Sequence, residues 1–253
     1  MIRSVKAVLA VWEREMYNYV KNIYLNALRL VFEPLLFVLV FGIGVGSRVD
    51  MGEISYLEFM APGVVFMVAM NNSYMATSFR LLIARDWDKY LTTTLTAPVT
   101  PSEIVMGYIF AGVTQSILAC AIFMILLTSA FGINFGYIPL VMLFIIATSA
   151  FFSSLGVILC MGVKDPHNLM ILTSLIIIPM SFFCGIFFPI EDLPKWIIPI
   201  ISAIPLTSAV QGARAISLSL YGPYIWLDLG YVIISAIIAF FIGIFTFKKK
   251  VVL

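Results

Sequence analysis

The stretch YVIISAIIAFFIGIFTF, residues 231–247, carries no charge and runs straight into Lys248, Lys249 and Lys250. Hydrocarbon offers a peptide group no hydrogen-bond partner, so a segment this long and apolar has to satisfy its own backbone as a helix. The lysines that follow suit the headgroup layer. Several comparable stretches lie upstream. Charged residues make up 11% of the chain, against roughly 25% in a soluble domain, and mean hydropathy is +1.08. The fold class is therefore an all-α integral membrane protein. A net charge of +2 gives no reason to expect a nucleic-acid partner.

Six transmembrane helices are predicted, running from Ile23 to Val45, Phe59 to Ile83, Ile104 to Thr128, Ile138 to Val163, Asn168 to Phe188 and Tyr224 to Phe247. An even number places both termini on one side. With that side cytoplasmic, the inner face receives Arg3, Lys6, Arg14, Lys21, Arg29, Arg80, Arg85, Lys89, Lys164 and the three terminal lysines. The outer face receives only Arg48, Lys195 and Arg214. The bias of basic residues towards cytoplasmic loops selects this orientation: multi-pass, both termini cytoplasmic. No cleavable signal peptide is expected, because Glu13, Arg14 and Glu15 precede any long apolar run.

Three segments outside the spans carry information. Residues 1–22 place Ile2, Val5, Leu9, Trp12, Met16 and Tyr19, with Ile23 next in register, on one helical face and Arg3, Arg14 and Lys21 opposite, a pattern suited to an interfacial amphipathic helix. Residues 84–103 form the longest polar insertion, RDWDKYLTTTLTAPVTPSE from Arg85 to Glu103. Arg85 to Leu91 is compatible with a short helix, and its charges mixed with Trp87, Tyr90 and Leu91 suggest a docking surface rather than a plain loop. Pro98 and Pro101 would break that helix, and Ser102 is expected to cap the third span. Residues 189–219 are too interrupted by Pro194, Pro199 and Pro205 for a span and too apolar for a solvated loop. Short helices that dip into the outer leaflet and return reconcile the two.

Catalytic chemistry finds no foothold. No GxxxxGK[ST] pattern occurs, and no HExxH or paired-histidine motif. The single histidine, His167, sits in a polar turn. Cys120, Cys160 and Cys184 lie far apart within apolar segments and read as small buried hydrophobes. No catalytic residue and no metal site is expected. An ionisable residue inside a span is a functional candidate by default, and Glu33 is the best case. It either pairs locally with Arg29 or pairs with Arg80 or Arg85, tying the first span to the polar loop. Asn71, Asn72, Ser73, Thr77 and Gln115 supply mid-membrane polar groups. They serve either as interhelical hydrogen bonds or as the lining of a pathway.

Four tracts carry a resemblance to a known family: EPLLFVLVFGIGVG (residues 33–46), YLEFMAPGVVFMVAM (56–70), LTAPVTPSEIVMG (95–107) and FFCGIFFPIEDLPKWIIPIISAIPLTSAVQGAR (182–214). In this order and over nearly the full length, the chain resembles the ABC-2 transporter permeases, which include exporters of nodulation lipo-oligosaccharides, drugs, polysaccharides and teichoic acids. The nodulation and drug branch is nearest.

The resemblance implies a single transmembrane domain over residues 1–253. Two permease copies, a homodimer in the simplest case, would pair with two copies of a separate ABC ATPase. The amphipathic helix and the loop would contact that ATPase, with Arg85, Asp86, Trp87, Asp88, Lys89, Tyr90 and Leu91 as coupling residues. The broken tract maps to a re-entrant outer segment. No cofactor is expected in this chain, since ATP and magnesium would belong to the partner. The expected activity is export of an amphipathic, lipid- or glycan-linked compound or drug across the cell membrane. The rival is a gradient-driven secondary transporter, which would call for acidic residues near mid-bilayer and an internal repeat.

Overall fold

The computed structural model describes residues 2–22, 24, 32–48, 54–86, 99–163 and 165–251, and every regular element among them is helical. In chain order these are α1 (Ile2–Lys21), α2 (Phe32–Val45), α3 (Tyr56–Asp86), α4 (Pro101–Phe131), α5 (Ile138–Gly162), α6 (Pro166–Phe183), α7 (Ile198–Ser202), α8 (Pro205–Ser217) and α9 (Tyr224–Val251). Four of them, α4, α5, α6 and α9, are long and apolar enough to cross a membrane. The helix α3 is as long as α4, at 31 residues, but its second half carries Asn71, Asn72, Arg80 and Arg85. From Val38 to Val45, α2 winds in the wider π form.

Proline fixes several starts. It has no N–H to leave orphaned and its φ is already helical, so it suits a first turn. It occupies that position in α4, α5, α6, α7 and α8. At α4 the cap is Thr100, not Ser102 as the sequence suggested. The Thr100 hydroxyl accepts the Glu103 N–H at 3.4 Å, while the Glu103 carboxylate accepts the Thr100 N–H at 2.8 Å. This reciprocal pair outcompetes Ser102, which lies inside the first turn behind Pro101. At the other extreme, α6 stops at Phe183 instead of Phe188, and the chain turns at Gly185 with φ 74°.

The helix α3 is the centre of the bundle, packed on α4, α5 and α8. Its contacts with α4 and α5 run through a seam of small polar residues. Ser116 lies 3.1 Å from the Ala69 carbonyl and 2.7 Å from the Ser149 hydroxyl. Thr77 donates to Ser153 at 3.1 Å, and Ser153 donates to the Ser73 carbonyl at 3.2 Å. Such short side chains let helix backbones approach closely while hydrogen bonds satisfy the buried hydroxyls. Gly112 is needed for this: a Cβ there would stand 2.4 Å from the Ser153 hydroxyl and 2.5 Å from that of Thr77.

At one end of the bundle, Val11, Leu81, Ile104, Met161, Leu169 and Phe247 form a common cluster that joins α1, α3, α4, α5, α6 and α9. Lys248, Lys249 and Lys250 follow directly, so we call this the basic end. The helix α1 packs along α4 here. Val11 fits over Gly107, where a Cβ would come within 2.5 Å, and Trp12 donates to Thr114 at 3.1 Å. The amphipathic reading of α1 needs adjustment. Val5 and Leu9, part of the expected apolar stripe, stay exposed, whereas Val11, Glu15 and Tyr19 are buried. The protein contact therefore takes only part of the expected stripe, Trp12 and Tyr19, together with Val11 and Glu15 beside it.

At the opposite end, Arg214 of α8 fastens the interrupted tract to the bundle. It donates to the Phe59 carbonyl at 2.9 Å and to the Gly185 carbonyl at 2.6 Å, and its guanidinium stacks 3.6 Å above the Phe59 ring. The Tyr231 hydroxyl holds the Ala203 carbonyl at 2.6 Å. The tract thus folds as a 3₁₀ turn, a five-residue helix and α8 before α9 begins.

The seam can be tested. Gly112→Ala is expected to destabilise the bundle by about 1–3 kcal/mol, the usual cost of overpacking. Gly162→Ala should be neutral, because nothing lies within 4 Å of a Cβ there. Unfolding midpoints of both purified variants in detergent check the contrast.

Candidate functional site

A helix that presents one face to its neighbours as a polar seam leaves its other face to something else. On α3, Val68, Asn72, Met75, Ala76, Phe79 and Ile83 follow three-and-four spacing on the side away from Ser73 and Thr77. That side borders a half-open cavity of about 610 Å³, lined also by Tyr19 of α1, Glu33 and Pro34 of α2, Gln115 of α4, and Met170, Thr173 and Ile177 of α6. The Tyr74 hydroxyl and the Thr173 hydroxyl, 2.7 Å apart, hold α6 against α3 beside it.

The walls are chemically mixed. Met67, Val68, Met75, Met170, Ile177 and Ile178 supply apolar surface, while Asn71, Asn72, Gln115 and Ser174 supply neutral polar groups. Asn72 donates to the Gln115 carbonyl at 3.3 Å. The Gln115 side chain is different. The residue is only 4% exposed, yet its carboxamide makes no hydrogen bond to any described residue. Its amide atoms are open to the cavity, where they can hydrogen-bond water or a ligand. Glu33 and Arg80 line the same cavity, and among the described residues neither forms an ion pair.

The polar residues singled out in the sequence therefore separate. Asn71, Asn72, Gln115 and Glu33 meet at the cavity. Ser73 and Thr77 do not; both are fully buried in the seam, where Ser73 also donates to the Ala69 carbonyl at 2.6 Å. The pairing of Glu33 with Arg80 or Arg85 is absent among the described residues, and its other option, Arg29, lies outside them. Arg80 itself was missed as a cavity residue. Its spacing was a usable signal, since Asn72, Ala76 and Arg80 are successive i, i+4 positions.

The coupling candidates also divide. Trp87, Asp88, Lys89, Tyr90 and Leu91 lie outside the described residues. Arg85 and Asp86, expected to belong to the loop, form the last turn of α3. Arg85 binds the Asp86 carboxylate at 2.6 and 2.8 Å and donates to the Cys160 and Val163 carbonyls, each at 3.0 Å. Those carbonyls belong to the end of α5, where helical acceptors have no partner within their own helix. Arg85 is engaged in holding α3 to α5. No three His, Cys, Asp or Glu side chains among the described residues gather as a metal site would require.

Comparison with known proteins bears on what a cavity of this kind serves. The chain is 27% identical over 248 residues to nodulation protein J of Neorhizobium galegae, covering 96% of this chain and 93% of that protein. It is 26% identical to nodulation protein J of Rhizobium meliloti, with coverage of 96% and 93%. Against the inner membrane transport permease YadH of Escherichia coli K12, identity is 24% over 218 residues, covering 82% and 81%. The family model described as ABC-2 type transporter matches residues 6–218. With that match over most of its length, and with a helical membrane bundle behind it, the chain belongs to the ABC-2 type transporter family.

Proposed function

We propose that this chain is the permease subunit of an ATP-driven exporter, and that its cavity receives an amphipathic, lipid- or glycan-linked cargo on the way out. The observation that carries the reading is Gln115. A carboxamide without a partner among the described residues, open to a cavity with both apolar and polar walls, suits a ligand that has both characters. Family membership supports the transport class.

In this reading α2, α3, α4, α5, α6 and α9 are the six spans. The basic end is cytoplasmic, both termini with it, and the α7–α8 tract is a re-entrant outer segment. The membrane is the cell's cytoplasmic membrane. A second copy of the chain completes the permease as a homodimer, and two copies of a separate ABC ATPase supply ATP hydrolysis. The loop from Trp87 to Leu91, with α1, docks that ATPase. ATP binding then shifts the pair between states that hold the cargo with different affinity.

Topology is the first test. A cysteine at Asp192 should react with an impermeant maleimide added outside sealed cells, and one at Lys249 should not; the reverse pattern overturns the orientation. Transport is the second. Vesicles carrying the chain and its ATPase should export with ATP, whereas Ala76→Trp, which fills the cavity from α3, should abolish export without lowering expression. Normal export by that variant rejects the cavity as the route. Coupling is the third. Trp87→Ala with Tyr90→Ala should weaken co-purification of the ATPase or uncouple ATP turnover from export, because aromatic anchors of an interface commonly contribute about 2 kcal/mol or more. Wild-type association together with wild-type export removes this pair from the coupling contact.

A further inference from the structure

The docking loop connects the last turn of α3 to the first turn of α4. Helix ends carry backbone groups without intrahelical partners and open more readily than helix middles. A pull on the loop is absorbed there unless both ends are fixed. Both are fixed here, each by a charged residue that reaches beyond its own helix. Arg85 has Asp86 beside it, yet its remaining donors go to the Cys160 and Val163 carbonyls at the end of α5, each at 3.0 Å. Glu103 completes the cap of α4 with Oε2, which accepts the Thr100 N–H at 2.8 Å, while Oε1 accepts the hydroxyl of Ser4 on α1. Capping alone requires neither the α5 carbonyls nor Ser4. The contact with α1 continues beyond Ser4, through Val11 over Gly107 and Trp12 on Thr114. Successive residues of α1 meet successive residues of α4, so the two helices run side by side in one direction. With the seam of Ser73, Thr77, Ser116, Ser149 and Ser153, the helices α1, α3, α4 and α5 are joined by direct contacts throughout. The helix α6 is attached more lightly: the Tyr74 and Thr173 hydroxyls link it to α3, and Met170, Ile171, Leu175 and Ile178 are exposed.

We infer that Arg85 and the Glu103–Ser4 pair are positioning residues of ATP coupling: they fasten the two ends of the docking loop to α5 and α1, so that α1, α3, α4 and α5 move as one body against α6 when the ATPase draws on the loop. The cavity lies across that division. Tyr19, Asn71 and Gln115 belong to the moving body, and Met170, Thr173 and Ile177 belong to α6. A displacement between the two sets changes the span of the cavity, and with it the affinity of the two states for a ligand. Arg85 thus acts through α5 and not by touching the ATPase. The inference rests on the proposed docking of an ATPase at this loop.

The test measures distances in the complex of the full chain with its ATPase in lipid nanodiscs, by pulsed electron paramagnetic resonance. Nitroxide labels are placed on Tyr17→Cys with Leu143→Cys, and on Tyr17→Cys with Leu175→Cys; all three sites are exposed, and the native cysteines are buried. Labelled chain is diluted into excess unlabelled chain, so that each complex carries one labelled copy. Between the nucleotide-free state and the state trapped with ATP and vanadate, the distance from α1 to α5 should stay the same and the distance from α1 to α6 should shift. Ser4→Ala with Arg85→Gln should abolish that shift while ATP turnover by the bound partner continues. A merely structural role would lower the unfolding midpoint or the yield of complex, but would not separate turnover from movement. If the double variant fails to fold, Ser4→Ala alone, which removes one exposed hydroxyl and leaves the cap of α4 intact, should reduce the shift. A change in the α1–α5 distance with ATP would show that the four helices are not one body. A full shift in the folded double variant, or in Ser4→Ala where that is the variant measured, would show that Arg85 and Glu103 serve their own helix ends only. Either result overturns the inference and leaves the permease reading standing. If the unmodified chain retains no ATPase and no distance responds to ATP, the permease reading fails and the inference with it.

Discussion

The close approach of α3 to α4 and α5 is the contact from which the rest of the bundle takes its position. Inside a membrane there is no water to expel between helices, so association depends on packing and on hydrogen bonds across the interface. Here the two are combined: Gly112 removes the side chain that would keep α4 away, and Ser73, Thr77, Ser116, Ser149 and Ser153 bond through the gap. Because this seam occupies one side of α3, the other side faces α1, α2 and α6, which pack on it less fully. The cavity is the space left between a tightly bonded trio and its looser neighbours.

Two arginines complete the attachment of α3, one at each end. Arg85 reaches the final carbonyls of α5, and Arg214 reaches carbonyls of α3 and of the Gly185 turn. Both use the guanidinium as a planar set of donors for backbone carbonyls of neighbouring segments. The stack of Arg214 on Phe59 adds cation–π attraction in a place shielded from water. Neither residue is a free surface charge, although a count of basic residues treats them as such.

Much of this architecture was legible in the sequence because the governing rules are local. An uncharged run followed by lysines reads as a span, and Thr100-Pro101-Ser102-Glu103 contains its own cap, two residues before Ser102, in the reciprocal spacing of Thr100 and Glu103. The site was legible in composition but not in direction. Asn71, Asn72, Ser73 and Thr77 stand within two turns of one helix, and which of them meets a cavity depends on where α5 packs. That is settled by Gly112 and Ser153, far away in the chain. Arg85 was misread for a similar reason, since the carbonyls it serves belong to residues 160 and 163 and a sequence does not announce unsatisfied acceptors. For α1, a helical wheel identifies an apolar stripe but not whether lipid or protein will cover it.

The division of α3 into two unlike sides has an evolutionary consequence. Substitutions act additively when their sites share no partner, and they couple when they do. Thr77 bonds to Ser153 of α5 and lies against Gly112 of α4, and the Ser73 carbonyl accepts from that same Ser153, so a change at Thr77 or Ser153 spreads through a hydrogen-bonded network. Asn71, Ala76 and Arg80 border open space, and a change there alters the wall and little else. One helix thereby separates what must be preserved from what is free to vary. A lineage of such chains can drift from one cargo to another through the second set of positions while the first keeps the bundle assembled.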